Sequence, residues 1–181
     1  MYKKRVLRII DTLNLETGGP AQGIKHSSED FANKGIGVDI ITSDISKKKY
    51  LKKTNIKILK FGSPNLIGSI IYLTKLFFYI FRNKKKYRIV LVHGIWGLKT
   101  SICRLLVNNY AVFVHGSLHR SEFKKGYLKN LKKIIFWHLL EKRNLLESKF
   151  VILTSDKEKK SFYNTYFKTR NFTIRIGCTP V

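Results

Sequence analysis

The sequence is poor in cysteine, in acidic residues and in long apolar runs, and each shortage excludes something. Its two cysteines, Cys103 and Cys178, lie far apart and outside any CxxC spacing. Neither a disulfide framework nor a zinc site is indicated, and a reducing cytoplasm is the expected setting. No segment reaches the ~20 apolar residues needed to cross a bilayer. The strongest stretch, Leu66 to Phe81, has 16 residues and contains Gly68 and Lys75, so a buried or interfacial helix is expected there. The N-terminus starts basic, but its apolar run is broken by Arg8 and ends at Asp11, so no signal peptide is expected there. Missing motifs exclude further chemistries. There is no GxGxxG for a nicotinamide or flavin cofactor, no HExxH or paired spacing for a metal, and no GxSxG around Ser117 for a catalytic triad.

What is present is basic and apolar. The 181 residues carry 36 Lys+Arg against 11 Asp+Glu, a formal net charge of +25, yet 44% are hydrophobic and 13% aromatic. That composition builds a core and is not a disordered basic tail, and the length fits one domain over residues 1–181. The imbalance is local. From Ile45 to Arg120 there is no Asp or Glu, while sixteen basic residues fall there, including Lys47 to Lys49 and Lys84 to Lys86. A surface so charged attracts nucleic acid, anionic membrane or phosphorylated substrates. Lysine outnumbers arginine 27 to 9. Since Lys is a point charge and Arg the better reader of planar groups, the charge implies attraction more than specificity.

Short apolar runs alternate with helical patterns. Strands are expected at Arg5 to Ile10, Val38 to Thr42, Ile56 to Phe61, Arg88 to Val92, Ala111 to Val114, Phe150 to Thr154 and Phe172 to Ile176. Between them, helices are expected from Pro20 to about Lys34, Ile70 to Phe81, Leu98 to Val107, Leu128 to Glu147 and from Asp156. Pro20 suits a first helical position, and Gly35 and Gly37 close the first helix. This is the pattern of a doubly wound α/β domain, a mostly parallel sheet with helices on both faces. Ligands collect outside the carboxyl ends of such strands. Three unusual loops follow strands and should gather there: Thr17 to Pro20, His93 to Gly97 and His115 to Ser117.

The Gly18-Gly19-Pro20 loop reads either as a plain turn or as an anion site, where free helix N–H groups meet a phosphate or carboxylate. Either His93 or His115 alone would read as an ordinary loop histidine. Two His-Gly pairs facing a Gly-Gly loop point to a site, where imidazoles hydrogen-bond sugar hydroxyls or phosphates. Trp96, Gly116 and Ser117 of the same loops join them as substrate-binding candidates. His26 and His138 are expected to be structural or solvated, and His119 peripheral. The Leu66 to Phe81 helix, followed by Arg82 and Lys84 to Lys86, either packs on the sheet or also meets anionic lipid.

With these pieces in order, the chain resembles the amino-terminal domain of the family-4 (group 1) glycosyltransferases of GT-B fold, over essentially its whole length. The resemblance rests on Val6 to Leu13 running into Gly18-Gly19-Pro20-Ala21, then Val92-His93-Gly94-Ile95-Trp96, then Val114-His115-Gly116-Ser117-Leu118. After these come Trp137-His138-Leu139-Leu140-Glu141, and Thr154-Ser155 with Glu158. It implies transfer of a sugar from a nucleotide-diphosphate donor to a polysaccharide or glycolipid acceptor at the cytoplasmic membrane face, with no resident cofactor and no metal. The amino-terminal domain mainly binds the acceptor. Gly18 and Gly19 would approach the donor phosphates or the acceptor, His115 would help position the transferred sugar as the catalytic histidine, and His93 would line the acceptor side. The resemblance also implies that the donor-binding carboxy-terminal domain is absent, which makes the chain a truncated enzyme or one part of a split one with a separate donor-binding chain. The competing expectations are a non-catalytic basic module on the membrane and, on charge alone and without a reader motif, a nucleic-acid binder.

Overall fold

The computed structural model describes residues 5–17, 19–45, 55–63, 65–117, 127–155, 158–159 and 174–176. In chain order the elements are β1 (Arg5–Ile9), β2 (Thr12–Leu13), α1 (Gly19–Asn33), β3 (Gly37–Thr42), β4 (Asp44–Ile45), β5 (Ile56–Lys60), α2 (Leu66–Asn83) and β6 (Ile89–His93). There follow α3 (Leu98–Leu106), β7 (Tyr110–Phe113), α4 (Tyr127–Phe136), a π-helical turn (Trp137–Glu141), α5 (Lys142–Leu146), β8 (Phe150–Leu153) and β9 (Ile174–Ile176). The expected strands are all present. Of the helix expected from Asp156, only Glu158 and Lys159 are among the described residues.

The seven-stranded sheet has the order β5-β3-β1-β6-β7-β8-β9, and every neighbouring pair is parallel. The chain moves outward through β1, β3 and β5, then returns to lay β6 against the other side of β1. That reversal is the topological switch point of a doubly wound sheet, where ligands bind beyond the strand ends. Beside it, β2 and β4 pair as a short parallel ribbon.

Strand parity sorts the side chains between two layers. Leu7, Ile9, Val90, Val92, Val112, Val151 and Leu153 face a helix layer and pack with Leu76 and Ile80 of α2, Cys103 of α3 and Leu145 of α5. The alternate residues of β1 and β3 pack against α1 through Ile10, Val38, Ile40 and Ile24. Helix α1 ends on Gly35 at φ 72°, with Gly35 N–H bonded to Ala32 O and Ile36 N–H to Phe31 O. This is a Schellman stop, and only glycine takes its left-handed position without strain.

Two helices differ from expectation. Helix α2 starts four residues earlier than Ile70, because Asn65 Oδ1 accepts the Gly68 N–H at 2.6 Å and caps it. A Cβ at Gly68 would overlap Ser63, so glycine permits that close entry. The long helix expected over 128–147 is interrupted by the π turn, which turns both Trp137 and Glu141 inward. Periodicity does not reveal such a bulge, which depends on what the helix packs against.

Candidate functional site

The parity that builds the core also delivers the site. On the α1 side of the sheet lie Arg8 of β1, Leu91 and His93 of β6, Phe113 of β7, His115 just beyond it, Ile152 of β8 and Thr154 just beyond that strand. They line a cavity of about 670 Å3 whose other wall is Gly19, Pro20, Gly23 and Ser27 on the first turns of α1. Apolar side chains make most of the wall; the polar groups converge at the rim where the strands end.

At that rim His93 Nδ1 and His115 Nε2 are 3.1 Å apart, with the rings stacked on each other and on Phe113. Burial holds the His93 imidazole well below its ordinary value, and Arg8, His115 and Lys99 push the same way. His115 is also lowered by burial, with Glu158 opposing and Lys99 adding. Both rings are therefore neutral near pH 7, and one must donate to the other. His93 Nε2 has no hydrogen-bond partner among the described residues. A buried orphan acceptor costs less than a buried orphan N–H, so the favoured tautomer has His93 Nδ1–H donating to His115 Nε2. His115 then carries its own proton on Nδ1.

The two His-Gly loops share a backbone device. Gly94 and Gly116 have φ of 83° and 76°, and His115 itself is left-handed at φ 51°. Gly94 N–H donates to Phe113 O at 2.8 Å, stitching the ends of β6 and β7. Trp96 is set back from the cavity: its Nε1–H donates to the Ser117 carbonyl at 3.1 Å, and its ring lies against Phe136, Trp137 and the Lys133 ammonium. Trp96 and Ser117 thus tie the two loops together from behind. Gly116 is also set back and gives its N–H to Glu158 Oε1. Gly19 is in the cavity wall, and Gly18 lies outside the described residues.

Several residues near the site are not among the candidates that the sequence singles out. Arg8 is buried on the cavity face with its guanidinium 5.0 Å from the Phe31 ring centroid; its one signal is a charge set between Leu7 and Ile9 in an apolar run. Lys99, 2% exposed, donates to Asp11 Oδ2 at 2.5 Å, joining the end of β1 to α3. Burial raises the Glu141 carboxyl to about 7, against Asn144, Lys99 and a backbone bond with Trp96. Asp11 thus supplies a negative group beside the basic, acid-free stretch, while burial favours the neutral form of Glu141. Among the described residues no three His, Cys, Asp or Glu side chains are placed to hold a metal, and no helix is long and apolar enough to cross a membrane.

Comparison with known proteins bears on this architecture. The Glycosyl transferase 4-like family matches residues 23–155. A crystal structure of WaaG, a glycosyltransferase involved in lipopolysaccharide biosynthesis, superposes with a TM-score of 0.59 at 13% identity, over 94% of this chain and 44% of that one. A putative UDP-N-acetylglucosamine 2-epimerase from Listeria monocytogenes gives 0.54 at 12% identity, over 95% of this chain and 44% of that one. At such identities the likeness is one of fold, and the chain spans less than half the length of either. No curated protein sequence matches. The family match covers most of the chain, and the protein belongs to the Glycosyl transferase 4-like family.

Proposed function

We propose that the chain is the acceptor-binding half of a glycosyltransferase that uses a nucleotide-diphosphate sugar as co-substrate, with no resident cofactor or metal, and that its donor-binding half is a further domain or a separate chain. The observation that carries this reading is the His93–His115 pair at the switch point, opposite the first turns of α1. In the tautomer above, His115 offers a fixed Nδ1–H to a sugar hydroxyl. The neutral ring avoids adding a third cation beside Arg8 and Lys99. His93 lines the acceptor side, Gly18 and Gly19 let a phosphate or acceptor approach the helix N-terminus, and Trp96, Gly116 and Ser117 hold the loops at the working distance. Preorganised donors of this kind act without reorganising during the reaction.

The acceptor is read as a polysaccharide or glycolipid at the cytoplasmic face of the membrane. Helix α2 supports this. It buries Tyr72, Leu76 and Ile80, but leaves Leu66, Ile67, Ile70, Phe78 and Phe81 exposed, followed by Arg82 and Lys84 to Lys86. Apolar bulk beside a basic cluster suits an anionic bilayer surface, at ~1 kcal/mol per basic residue near it.

The test is sugar transfer from nucleotide-diphosphate sugars to vesicle-borne glycolipid, with the donor-binding half supplied. His115→Ala is expected to lower kcat roughly 100-fold or more; full activity in that variant sinks the assignment. The exposed α2 face also favours a second reading, a non-catalytic membrane module. Sedimentation with anionic vesicles together with no affinity for any sugar nucleotide would support that one instead.

A further inference from the structure

We infer that Glu158 is the positioning residue for His115: its buried carboxylate takes the Gly116 N–H and thereby sets the turn that holds the His115 imidazole against His93 at the cavity rim. The inference deepens the proposed function and rests on the role given there to His115.

Glu158 is 5% exposed, so its carboxylate has left bulk water and must be hydrogen-bonded to be tolerated. Oε2 accepts from Thr154 N–H at 2.8 Å and Thr154 Oγ1–H at 3.0 Å, and Oε1 accepts from Gly116 N–H. A simpler role would be helix capping. Ser155-Asp156-Lys157-Glu158 has the capping-box form, and Glu158 N–H does donate to Ser155 Oγ at 3.1 Å. A capping box, however, needs the glutamate to reach only the cap residue's own N–H. Here one oxygen reaches the residue before the cap, and the other reaches a loop 42 positions away in sequence. Capping does not account for that second oxygen.

The Gly116 N–H belongs to the peptide plane that follows His115 Cα, so its direction is fixed by His115 ψ. His115 sits at φ 51°, a conformation disfavoured by roughly 1 kcal/mol or more for a residue with a Cβ. Such a residue persists where its surroundings over-determine it. Among the described residues the turn has a local bond, Ser117 N–H to Val114 O at 3.2 Å, the Trp96 Nε1–H bond to Ser117 O, and the charge-assisted bond of Glu158. Glu158 also ties the turn to the end of β8, so the loop is referenced to two strands of the sheet. Among the described residues, the charged and titratable groups facing His115 are His93, Glu158 and Lys99; of these Glu158 favours the protonated ring and Lys99 disfavours it.

The test uses Glu158→Gln and Glu158→Ala in the full chain, followed by NMR at the Gly116 amide and the His115 ring, and by transfer kinetics with the donor-binding half present. Glutamine keeps the size but removes the charge and leaves one acceptor oxygen for three donors. The expected result in Glu158→Gln is an upfield Gly116 amide proton, a His115 pKa lowered further, and a kcat down roughly 10- to 100-fold with KM little changed. A cap alone would lower Tm and leave the Gly116 amide and the His115 titration as in wild type, and that outcome overturns the inference. Should Glu158→Ala not fold, Glu158→Gln decides. Should His115→Ala transfer sugar at full rate, the catalytic reading fails, while the two NMR readouts still decide whether Glu158 positions the ring.

Discussion

The two faces of the parallel sheet are made by the same strands and finished differently. Towards α2, α3 and α5, Leu7, Ile9, Val90, Val92 and Val112 are closed over by Leu76, Ile80, Cys103 and Leu145. Towards α1, Val38 and Ile40 pack with Ile24, and Val6, Leu91 and Ala111 form a further buried cluster; beside them Leu91, Phe113 and Ile152 front the cavity of about 670 Å3 that α1 walls on its other side. The first face holds the domain together, and the second keeps concave space beside Arg8, His93 and His115. The closed layer also turns an apolar outer row on α2 to the surface, where Ile70 and Phe78 are more than half exposed. An amphipathic helix normally spends its apolar residues inward; α2 has them on both sides.

The largest expected effect comes from cutting into the closed face. Leu76→Ala removes a side chain with no exposed area and should cost roughly 2–5 kcal/mol in urea denaturation. Ile152→Ala, beside existing cavity space, should cost about 1 kcal/mol or less. Equal costs would break the contrast between the faces. Next comes the outer row of α2. Ile70→Glu with Phe78→Glu should weaken sedimentation with anionic vesicles roughly tenfold or more, because each apolar side chain loses its burial in lipid. The Tm should stay near wild type, since neither residue is in the core; unchanged sedimentation would remove α2 from the membrane reading.

The smallest effect is a pH dependence. His93 has its folded pKa pushed down by burial and then by Arg8, so as pH falls below about 6.5 the unfolded chain takes up the proton first. Stability from this group is complete above that pH and is lost as pH falls towards the folded value. The slope is at most about 1.4 kcal/mol per pH unit for one proton. His93→Asn should flatten Tm against pH between about 6.5 and 5. An unaltered slope would mean that His93 is not the buried neutral ring described above.

Much of this organisation is legible in the residues. The apolar runs mark the strands because a parallel strand covered on both faces has little room for polar residues. The glycines after His93 and His115 announce tight turns, and both are left-handed as that residue type allows. What stays hidden depends on partners distant in sequence. Lys99 looks like one more surface lysine in a basic stretch, yet it is buried against Asp11, 88 positions away. Glu158 looks like a helix cap, yet it spends an oxygen on Gly116. Trp96 reads as a substrate-facing aromatic, while its indole ties Ser117 to the π turn from behind the cavity.

By itself the sequence determined the alternation of strand and helix, the parallel sheet, and the three loops that follow strand ends. Those follow from local periodicity and backbone freedom, which each segment carries within itself. Tertiary structure alone decided that His93 and His115 stack 3.1 Å apart nitrogen to nitrogen, that burial pushes both rings towards the neutral form, and that a cavity lies between α1 and the strand ends. Those depend on strand order and on the desolvation of groups brought together from remote segments.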